Sequence, residues 1–398
     1  MLSVEDARDR ILAHARPTDP ERVPLGEAMG RVPAAIVVTA EMDVPPFANS
    51  AMDGFAVRAG DTPGELRLVG EVAAGATSLP TFELGTAARI MTGAPVPPGT
   101  DAVVPLEMAE VLGEDRVRVP ATPVGAFVRA AGHDTRRGDR VELPAGPLAP
   151  ATIAVLASLG WGEIEVRRRP VVGILSTGDE LAPPGQPLGA GQIHDANSAS
   201  LAAAVVEAGG EPRPLPLVPD RPEAIEAAVR EGVADADLLV VSGGVSVGRH
   251  DHVRSAIERL GTLDFWRIAV QPGKPLAFGS VGGRPVIGLP GNPVSALVTF
   301  ELFVRPLLRA MLGLSGDGRL HLPARLDESL HKDEERRAYL RVVVRRAADG
   351  WRASPAGGQG SAQLRSLAAA NALLVVPEGQ PAGEADALYD AILLGGIP

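Results

Sequence analysis

Between Arg169 and about Leu312, short apolar runs alternate with helical patterns, and this alternation constrains the fold more than any other feature of the sequence. Val171–Leu175 and Leu238–Val241 are continuous apolar runs, which are typical of strands buried on both faces. Stretches with capping residues and amphipathic spacing separate such runs and predict helices between them. Repeated βα units of this kind predict a parallel sheet covered by helices on both faces.

Turn and capping residues divide this region into further elements. Asn197 and Asp220 have the short polar side chains that cap helices, so we expect helices that run to Ala208 and from Arg221 to Glu231. The remaining expected elements are strands at Leu215–Val218, Leu276–Phe278 and Val286–Leu289, and a long helix from Pro290–Pro293 to about Leu312.

The segments on either side predict β structure. Over residues 33–141, short apolar runs are separated by turns rich in Pro and Gly, which indicates an all-β module. Residues 3–16 and 150–159 have helical patterns, and Ser3 with Asp6 resembles a capping box. The β module is therefore interpreted as an insertion within one framework. Its runs are Ala35–Val38, Gly54–Val57, Leu66–Val69, Ala87–Met91, Ala102–Leu106 and Arg116–Val119, and strands at Tyr339–Val344 and Leu373–Val376 follow near the C-terminus.

These patterns predict a multidomain protein of the α/β plus β class. A chain of 398 residues is long enough for two to four domains. We expect a helical and β framework domain (1–40 with 135–168), an inserted β domain (41–134), an α/β domain (169–316) and a C-terminal β domain (317–398).

The composition excludes several classes of protein. The chain has no cysteine, which rules out disulfides, thiolate nucleophiles and cysteine-ligated metals. Its formal charge of −11 argues against a nucleic-acid partner. No run approaches the roughly 18 consecutive apolar residues of a transmembrane helix, and the first residues lack the apolar core of a signal peptide. We therefore expect a cytoplasmic protein with no membrane partner.

Two loops follow predicted strands at the edge of the sheet where ligands of doubly wound folds bind. They are Ser176-Thr177-Gly178-Asp179-Glu180 and the glycine-rich Ser242–Gly248. Small residues there let backbone N–H groups approach an anion, but a tight strand-to-helix turn needs the same glycines. Both interpretations are equally supported, and the second loop does not have the spacing of a nucleotide-binding P-loop.

Two proline-rich turns are also candidates for anion binding. Pro272-Gly273-Lys274-Pro275 presents a lysine on a stiff backbone, and only two of the 38 basic residues, Lys274 and Lys332, are lysines. A solvated surface lysine is the alternative, and the rarity of lysine favours function slightly. In Pro290–Ser295, Asn292 or Ser295 can donate to an anion, although helix capping is at least as good an explanation.

Several carboxylates lie in turns. Asp53, Asp134, Glu180, Asp220 and Asp251 could hold a divalent cation against an anion, and oxygen-only ligation suits Mg²⁺. Each of them taken singly is more often a turn or capping residue. A transition-metal site at residues 250–252 (His-Asp-His) is weak because a third partner is lacking.

Six motifs occur in order along the chain: Asn49–Ala56, Arg89–Pro97, Ser176–Leu181, Ser242–Gly248, Pro272–Pro275 and Pro290–Ser295. Together they resemble the molybdopterin molybdenumtransferase (MoeA) family, which includes the E domain of gephyrin. The resemblance implies insertion of molybdenum from molybdate into adenylylated molybdopterin, with Mg²⁺-dependent hydrolysis of the adenylyl pyrophosphate bond and release of AMP. It also implies a three-layer α/β domain like that of the adenylyltransferase partner, a homodimer, and transient contacts with that adenylyltransferase and with molybdoenzyme chaperones.

The resemblance also assigns roles to individual residues. As catalytic residues it implies Asp53, Thr92, Asp134, Glu180 and Asp251, and as metal ligands Glu180, Asp251 and Asp220. Together with the loops described above, the expected substrate or anion site contains Ser176, Thr177, Gly178, Ser242, Gly243, Gly244, Lys274, Pro290, Asn292, Pro293, Ser295, Ser361 and Arg341.

One position departs from the family pattern. Many members have a second lysine three positions before the motif lysine, where this chain has Gln271. A neutral amide loses a charge, so molybdate affinity could be lower or could rely on arginine. A tungsten-inserting counterpart, a non-catalytic scaffold and, more weakly, a nucleotide-binding hydrolase of another pathway remain as alternatives. The complete set of carboxylates with Lys274 favours a transferase over a scaffold.

Overall fold

The computed structural model describes residues 1–245 and 252–395. The chain forms two compact units, Met1–Glu21 with Arg167–Pro398, and Arg22–Val166. The four-part division predicted from the sequence is finer than these two units and stays a prediction. In the part of the chain that the structure describes, no helix has the length and apolar character needed to cross a membrane.

A six-stranded sheet, here called the central sheet, forms the middle of the first unit. Its first four strands run parallel, as the βα pattern predicts, whereas the fifth is antiparallel to both of its neighbours, the fourth and the sixth. The reversal occurs because a two-residue turn, Gly282-Gly283, joins the fourth and fifth strands, and such a turn connects antiparallel neighbours. In sheet order the strands are Glu211–Pro214, Val171–Ser176, Leu238–Ser242, Arg284–Leu289, Pro275–Val281 and Gly261–Arg267.

Helices cover both faces of the central sheet, which explains the continuous apolar runs. Along Leu238–Ser242, successive side chains alternate between two cores, with Val240 in one and Val241 in the other. The helices of this unit are Val4–Leu12, Ala196–Glu207, Pro222–Ala234, His252–Leu260, Pro293–Thr299, Arg305–Met311 and Leu364–Ala369, and a π-helical turn at Phe300–Val304 interrupts the predicted long helix.

Three local predictions in this region are wrong. Asp195, not Asn197, caps the helix Ala196–Glu207, since its carboxylate accepts the N–H groups of residues 197 and 198 at 3.0 and 3.1 Å. The helix Pro222–Ala234 has Arg221 at its N-cap and no side-chain cap. The strand predicted at Leu215–Val218 lies at Glu211–Pro214, where the prolines are tolerated because the strand is at the sheet edge.

The C-terminal sheet closes on itself. Arg337–Ala347 pairs with both Gly350–Pro355 and Ala372–Val376, and His321–Leu326 and Leu388–Leu393 complete the ring around an apolar core. A short strand, Val270–Gln271, attaches in parallel to the start of the long strand. Smaller strands of this unit are Leu181–Ala182 with Ile193–His194, and Leu330–His331 with Ala382–Gly383.

The second unit contains the inserted β module as a six-stranded sheet. The predicted runs Gly54–Val57 and Arg116–Val119 are strands with those same bounds. The sheet order is Ala102–Pro105, Gly54–Val57, Thr86–Ile90, Gly64–Val72, Arg116–Val119 and Glu110–Leu112. Outside this sheet lie the helix Pro150–Ser158 and the strands Val37–Thr39, Arg140–Glu142, Asn49–Ser50 and Val128–Arg129. The strands Pro20–Pro24 and Glu163–Arg167 each contain a position where the chain passes from one unit to the other.

Candidate active site

A cavity of about 560 Å³ opens at the carboxyl edge of the central sheet. Loops that follow the parallel strands Val171–Ser176, Leu238–Ser242 and Arg284–Leu289 line it. This is the edge where open α/β sheets bind ligands. The predicted site residues that line it are Thr177, Glu180, Asp220, Ser242, Gly243, Gly244, Pro290, Asn292 and Pro293.

The glycines of the second loop are required by close packing. Gly243 has φ of +93°, and a Cβ at this position would lie 2.5 Å from the carbonyl oxygen of Thr177. The N–H of Gly243 donates to the carbonyl of Leu289 at 3.2 Å. The turn therefore needs glycine whether or not an anion binds, and the two interpretations of this loop stay open.

Three buried oxygen atoms at this cavity have no hydrogen-bond partner in the described residues. They are Oγ1 of Thr177, a residue only 4% exposed, Oδ1 of Asn197 and Oδ1 of Asp220. The N–H of Asp220 donates to Oδ1 of Asp179 at 3.2 Å, which ties the loop after Val218 to the loop after Ser176. A buried polar atom without a partner is costly, so these oxygens are positions where a ligand, a proton or a cation would be accommodated.

Two of the three predicted metal ligands share this cavity. Glu180 is exposed and Asp220 is half-buried, and both line it. The third, Asp251, lies outside the described residues. Within residues 1–245 and 252–395, no group of three or more His, Asp or Glu side chains is arranged to hold a metal.

Sequence reasoning missed Asn197 as a site residue. Its Nδ2 donates to Oγ of Ser242 at 2.7 Å and to the carbonyl of Gly291 at 2.8 Å, so it joins two of the strand-end loops. The sequence pattern predicts a helix cap at this position because Asp and Asn are equivalent in that role. The presence of Asp195 two residues earlier could have indicated the role of Asn197. Because the Asp195 carboxylate caps the helix, the side-chain amide of Asn197 is able to hydrogen-bond to the loops.

Other predicted anion ligands lie inside the protein. Ser176 is 1% exposed, and its hydroxyl contacts Oγ of Ser198 at 2.8 Å and Oδ1 of Asp195 at 3.3 Å. Ser295 is 3% exposed. Gly178 follows Thr177, and its N–H donates to the carbonyl of Val218 at 3.2 Å. Their roles as anion ligands stay predictions.

The C-terminal domain reaches this part of the sheet through Ser361. The Nδ2 of Asn292 donates to Oγ of Ser361 at 2.9 Å, and the N–H of Val294 donates to its carbonyl at 3.1 Å. Arg341 holds the loop that carries Ser361. Its buried guanidinium donates to the carbonyls of Gly358 and Gly360 at 2.9 and 3.1 Å, and burial lowers the pKa of Arg341.

Lys274 is exposed at a stiff turn beside the cavity. Gly273 has φ of +123°, and a Cβ there would collide with Cγ2 of Thr299, so the turn packs closely on the helix Pro293–Thr299. The carbonyl of Lys274 accepts the N–H of Ile268 at 3.2 Å. The next residue, Pro275, lines the cavity.

In the second unit, the structure brings Asp53 and Thr92 together. The N–H and the hydroxyl of Thr92 both donate to Oδ1 of Asp53, at 2.6 and 2.8 Å. These two hydrogen bonds, the backbone one first, lower the pKa of Asp53 below its usual value. Asp134 is exposed in the same unit, and its N–H donates to the carbonyl of Val44 at 2.9 Å.

Three family models match the chain in order. They describe the MoeA N-terminal region (domain I and II) over residues 2–160, a probable molybdopterin-binding domain over 173–310, and the MoeA C-terminal region (domain IV) over 323–387.

The relatives and solved structures agree with these models. Molybdopterin molybdenumtransferase 2 of Mycobacterium tuberculosis is 41% identical over 393 residues, which is 95% of this chain and 96% of the relative. The molybdopterin molybdenumtransferase of Haemophilus influenzae is 40% identical over 79% of this chain and 78% of its own length. The crystal structure of a MoeA protein of molybdopterin biosynthesis from Pyrococcus horikosii superposes with a TM-score of 0.86 at 33% identity, covering 100% of both chains. The chain therefore belongs to the MoeA family, and both of these relatives are named molybdopterin molybdenumtransferases.

Proposed function

We propose that this protein inserts molybdenum from molybdate into adenylylated molybdopterin, and that Mg²⁺-dependent hydrolysis of the adenylyl pyrophosphate bond releases AMP. The observation that carries the proposal is the meeting of three predicted motifs at one cavity. Ser176–Leu181, Ser242–Gly248 and Pro290–Ser295 each contribute lining residues, and Pro275 adds the end of the lysine turn. A cavity of about 560 Å³ is of the size that binds small molecules and cofactors.

Lys274 is the proposed cationic ligand for an oxyanion. Molybdate and pyrophosphate carry at least two negative charges, and a compact ammonium on a rigid turn is suited to such oxygens. Gly273 packs closely on the helix Pro293–Thr299, and this contact fixes the backbone from which the Lys274 side chain extends.

The donor set at the cavity fits Mg²⁺. Glu180 and Asp220 supply carboxylate oxygens to the cavity. The buried Oδ1 of Asp220 has no hydrogen-bond partner among the described residues, so it is able to coordinate a cation. Mg²⁺, when bound, offsets the negative charge of the pyrophosphate. We propose that Glu180 and Asp220 hold it, and that Asp251 completes the set as the family pattern implies.

Asp53 is the proposed group that positions the attacking water. Water adds to the adenylyl phosphorus, the bond from that phosphorus to the bridging oxygen breaks, and the phosphate of molybdopterin leaves with the electron pair. The ionised carboxylate can accept the proton that the water loses. The hydrogen bonds from Thr92 keep Asp53 ionised, which is the form this role needs. Asp134 is proposed as a further catalytic carboxylate on the family pattern alone.

The test is a reaction of the full-length protein with adenylylated molybdopterin, molybdate and Mg²⁺. We expect AMP release that depends on both molybdate and Mg²⁺. Asp53→Asn is expected to lower its rate at least about 100-fold, because a general acid–base group typically contributes that much to a rate. Glu107→Gln, an exposed charge change in the same β module, serves as the matched control and keeps the wild-type rate. Absence of AMP release by the wild type would favour a scaffold, and a preference for tungstate in competition would favour the tungsten counterpart.

The proposal extends to assembly. We propose a homodimer that receives its substrate from a separate molybdopterin adenylyltransferase and passes the finished cofactor to molybdoenzyme chaperones. Sedimentation at micromolar concentration tests the homodimer, and a purely monomeric species would refute it.

A further inference from the structure

The side-chain amide of Asn197 has a fixed orientation. Its Nδ2 donates to the carbonyl of Gly291 at 2.8 Å and to Oγ of Ser242 at 2.7 Å. A backbone carbonyl only accepts hydrogen bonds, so the group that faces Gly291 must be the NH₂ and not the amide oxygen. An amide NH₂ has two hydrogens, and these two contacts use both of them.

The amide oxygen is therefore an acceptor that the protein leaves unused. Oδ1 of Asn197 is buried and has no hydrogen-bond partner within the described part of the chain. The residue lines the cavity at the carboxyl edge of the central sheet. A buried acceptor without a donor costs free energy, and a bound ligand that donates to Oδ1 would remove this cost.

The structural roles of Asn197 do not need this oxygen. The carboxylate of Asp195 already caps the helix Ala196–Glu207, because its Oδ1 accepts the N–H groups of residues 197 and 198. The contacts that join the loops of Ser242 and Gly291 are made by Nδ2 alone. The two ends of the amide thus have separate roles, and only Nδ2 has its role within the protein.

The ligand group that suits Oδ1 is an N–H donor. Oxygens of molybdate and of ionised phosphate have no hydrogen to donate. A hydroxyl can donate, but its own lone pairs then need donors, and both hydrogens of Nδ2 are already used. An amino group on an aromatic ring has N–H groups and a nitrogen lone pair that is delocalised into the ring, and it projects from the ring edge towards a recessed oxygen.

We propose that Oδ1 of Asn197 accepts a hydrogen bond from the amino group of a nitrogen heterocycle, and that Asn197 is a specificity-determining residue of the cavity. This inference rests on the proposed function, since adenylylated molybdopterin carries such an amino group on its adenine and on its pterin. The two rings present the same chemistry to Oδ1, and the experiment distinguishes them.

The experiment is calorimetric titration of the full-length protein with two pairs of compounds. One pair is AMP and purine riboside 5′-monophosphate, which lacks the amino group of adenine. The other is pterin-6-carboxylate and lumazine-6-carboxylate, in which an oxo group replaces the amino group. We expect the wild type to bind the amino compound of one pair about tenfold more tightly than its counterpart, and that pair identifies the ring.

Asn197→Ala separates recognition of the amino group from the joining of the loops. The variant loses both ends of the amide, so a purely structural effect weakens both compounds of a pair by the same factor. Loss of recognition instead makes the two compounds bind equally, because the amino group no longer has its acceptor. Asn197→Ser, whose shorter side chain also lacks Oδ1, gives the same comparison if the alanine variant does not fold.

The matched control perturbs the same contact and keeps the oxygen. Ser242→Ala removes one of the two acceptors of Nδ2, but the bond to the carbonyl of Gly291 still orients the amide. We expect Ser242→Ala to retain the roughly tenfold preference for the amino compound, whatever its effect on the affinity for the pair.

Three outcomes would overturn the inference. They are equal binding of the compounds of each pair by the wild type, a preference that persists in Asn197→Ala, and failure of all four compounds to bind. A loss with 2′-deoxyadenosine 5′-monophosphate that depends on Asn197 would assign Oδ1 to a ribose hydroxyl and overturn the amino group as its donor. AMP release by the wild type, measured separately with adenylylated molybdopterin, molybdate and Mg²⁺, distinguishes these outcomes from failure of the proposed function itself.

Discussion

The contact between Asp53 and Thr92 shows how one residue sets the state of another. Thr92 donates twice to the same carboxylate oxygen, and both bonds favour the charged form of Asp53. The depressed pKa means that the carboxylate stays ionised as the pH falls through the range where an ordinary aspartate takes up its proton. Removal of the Thr92 hydroxyl alone tests how much it lowers the pKa of Asp53, because the backbone N–H of Thr92 still donates to the carboxylate.

We predict that Thr92→Val moves the acid limb of AMP release to higher pH. The larger cause, the backbone hydrogen bond, is retained, so the pKa of Asp53 rises only part of the way to its usual value. The measurement is the rate between pH 3 and pH 7, with circular dichroism to confirm that the protein stays folded. The control is Thr100→Val, since the hydroxyl of Thr100 donates to the backbone carbonyl of Pro97 at 2.7 Å. Superimposable acid limbs for Thr92→Val and the wild type would contradict the prediction.

The elements of the central sheet show what the sequence can and cannot specify. The run Leu238–Val241 could be assigned because burial on both faces leaves a continuous apolar signature that no neighbour alters. The start of Ala196–Glu207 could not, because Asp195 and Asn197 are both good caps and only the packed structure decides which one is used. At residues 211–218, every second residue from Pro212 to Pro216 is a proline, which obscures the alternation of apolar and polar residues typical of a strand. The strand is therefore predicted four residues later than the position it has in the structure, Glu211–Pro214.

The same limit applies to the candidate site. The loops at strand ends were predictable because the topology brings carboxyl ends together at one edge. The contacts between Asn292 and Ser361, and between Gln271 and Asp333, join residues 69 and 62 positions apart. No local pattern specifies such pairs, since they arise from the docking of the C-terminal barrel, and the family resemblance supplied Ser361 where spacing could not.

The loop at residues 357–361 depends on one buried guanidinium. Arg341 is 1% exposed and donates to Oγ of Ser366 and to the carbonyls of Gly358 and Gly360. We predict that Arg341→Met lowers the free energy of unfolding by about 2 kcal/mol, because a hydrogen bond to a charged group contributes roughly 1.5–3 kcal/mol and the buried methionine recovers part of that. Urea denaturation measures the loss, and limited proteolysis shows whether the loop is cut sooner.

A variant on the same strand provides the comparison. Arg346 is exposed, and its guanidinium lies 5.8 Å from the ring centre of Trp351. We expect Arg346→Met to change the free energy of unfolding by no more than about 0.5 kcal/mol, as is usual for surface substitutions. Equal losses in the two variants would show that the burial of Arg341 has no special effect.

On the scale of the whole first unit, a network of four charges connects the central helices to the C-terminal barrel. Arg305, only 5% exposed, donates to Glu301 and Glu207 at 2.7 and 2.9 Å. Arg319, which precedes the first barrel strand, donates to the same two carboxylates and to the carbonyl of Leu394 at 2.9 Å. Because both arginines share both glutamates, loss of one carboxylate weakens the attachment of the barrel and the helix pair at once.

The network makes stability depend on pH through Glu207. Burial alone would raise the pKa of Glu207, but the hydrogen bonds and charges of Arg319 and Arg305 outweigh it and lower the pKa. A carboxyl group whose pKa is lower in the folded state stabilises the protein above its unfolded pKa of about 4.5 and loses that contribution as the pH falls through the folded value. We therefore predict that the free energy of unfolding of the wild type decreases more steeply below pH 4.5 than that of Glu207→Gln. Urea denaturation between pH 3 and pH 6 measures this, with Glu231→Gln, an exposed glutamate on the helix Pro222–Ala234, retaining the wild-type slope. If all three proteins lose stability in parallel, the charge of Glu207 contributes nothing to folding, and the attachment of the barrel must depend on its apolar contacts alone.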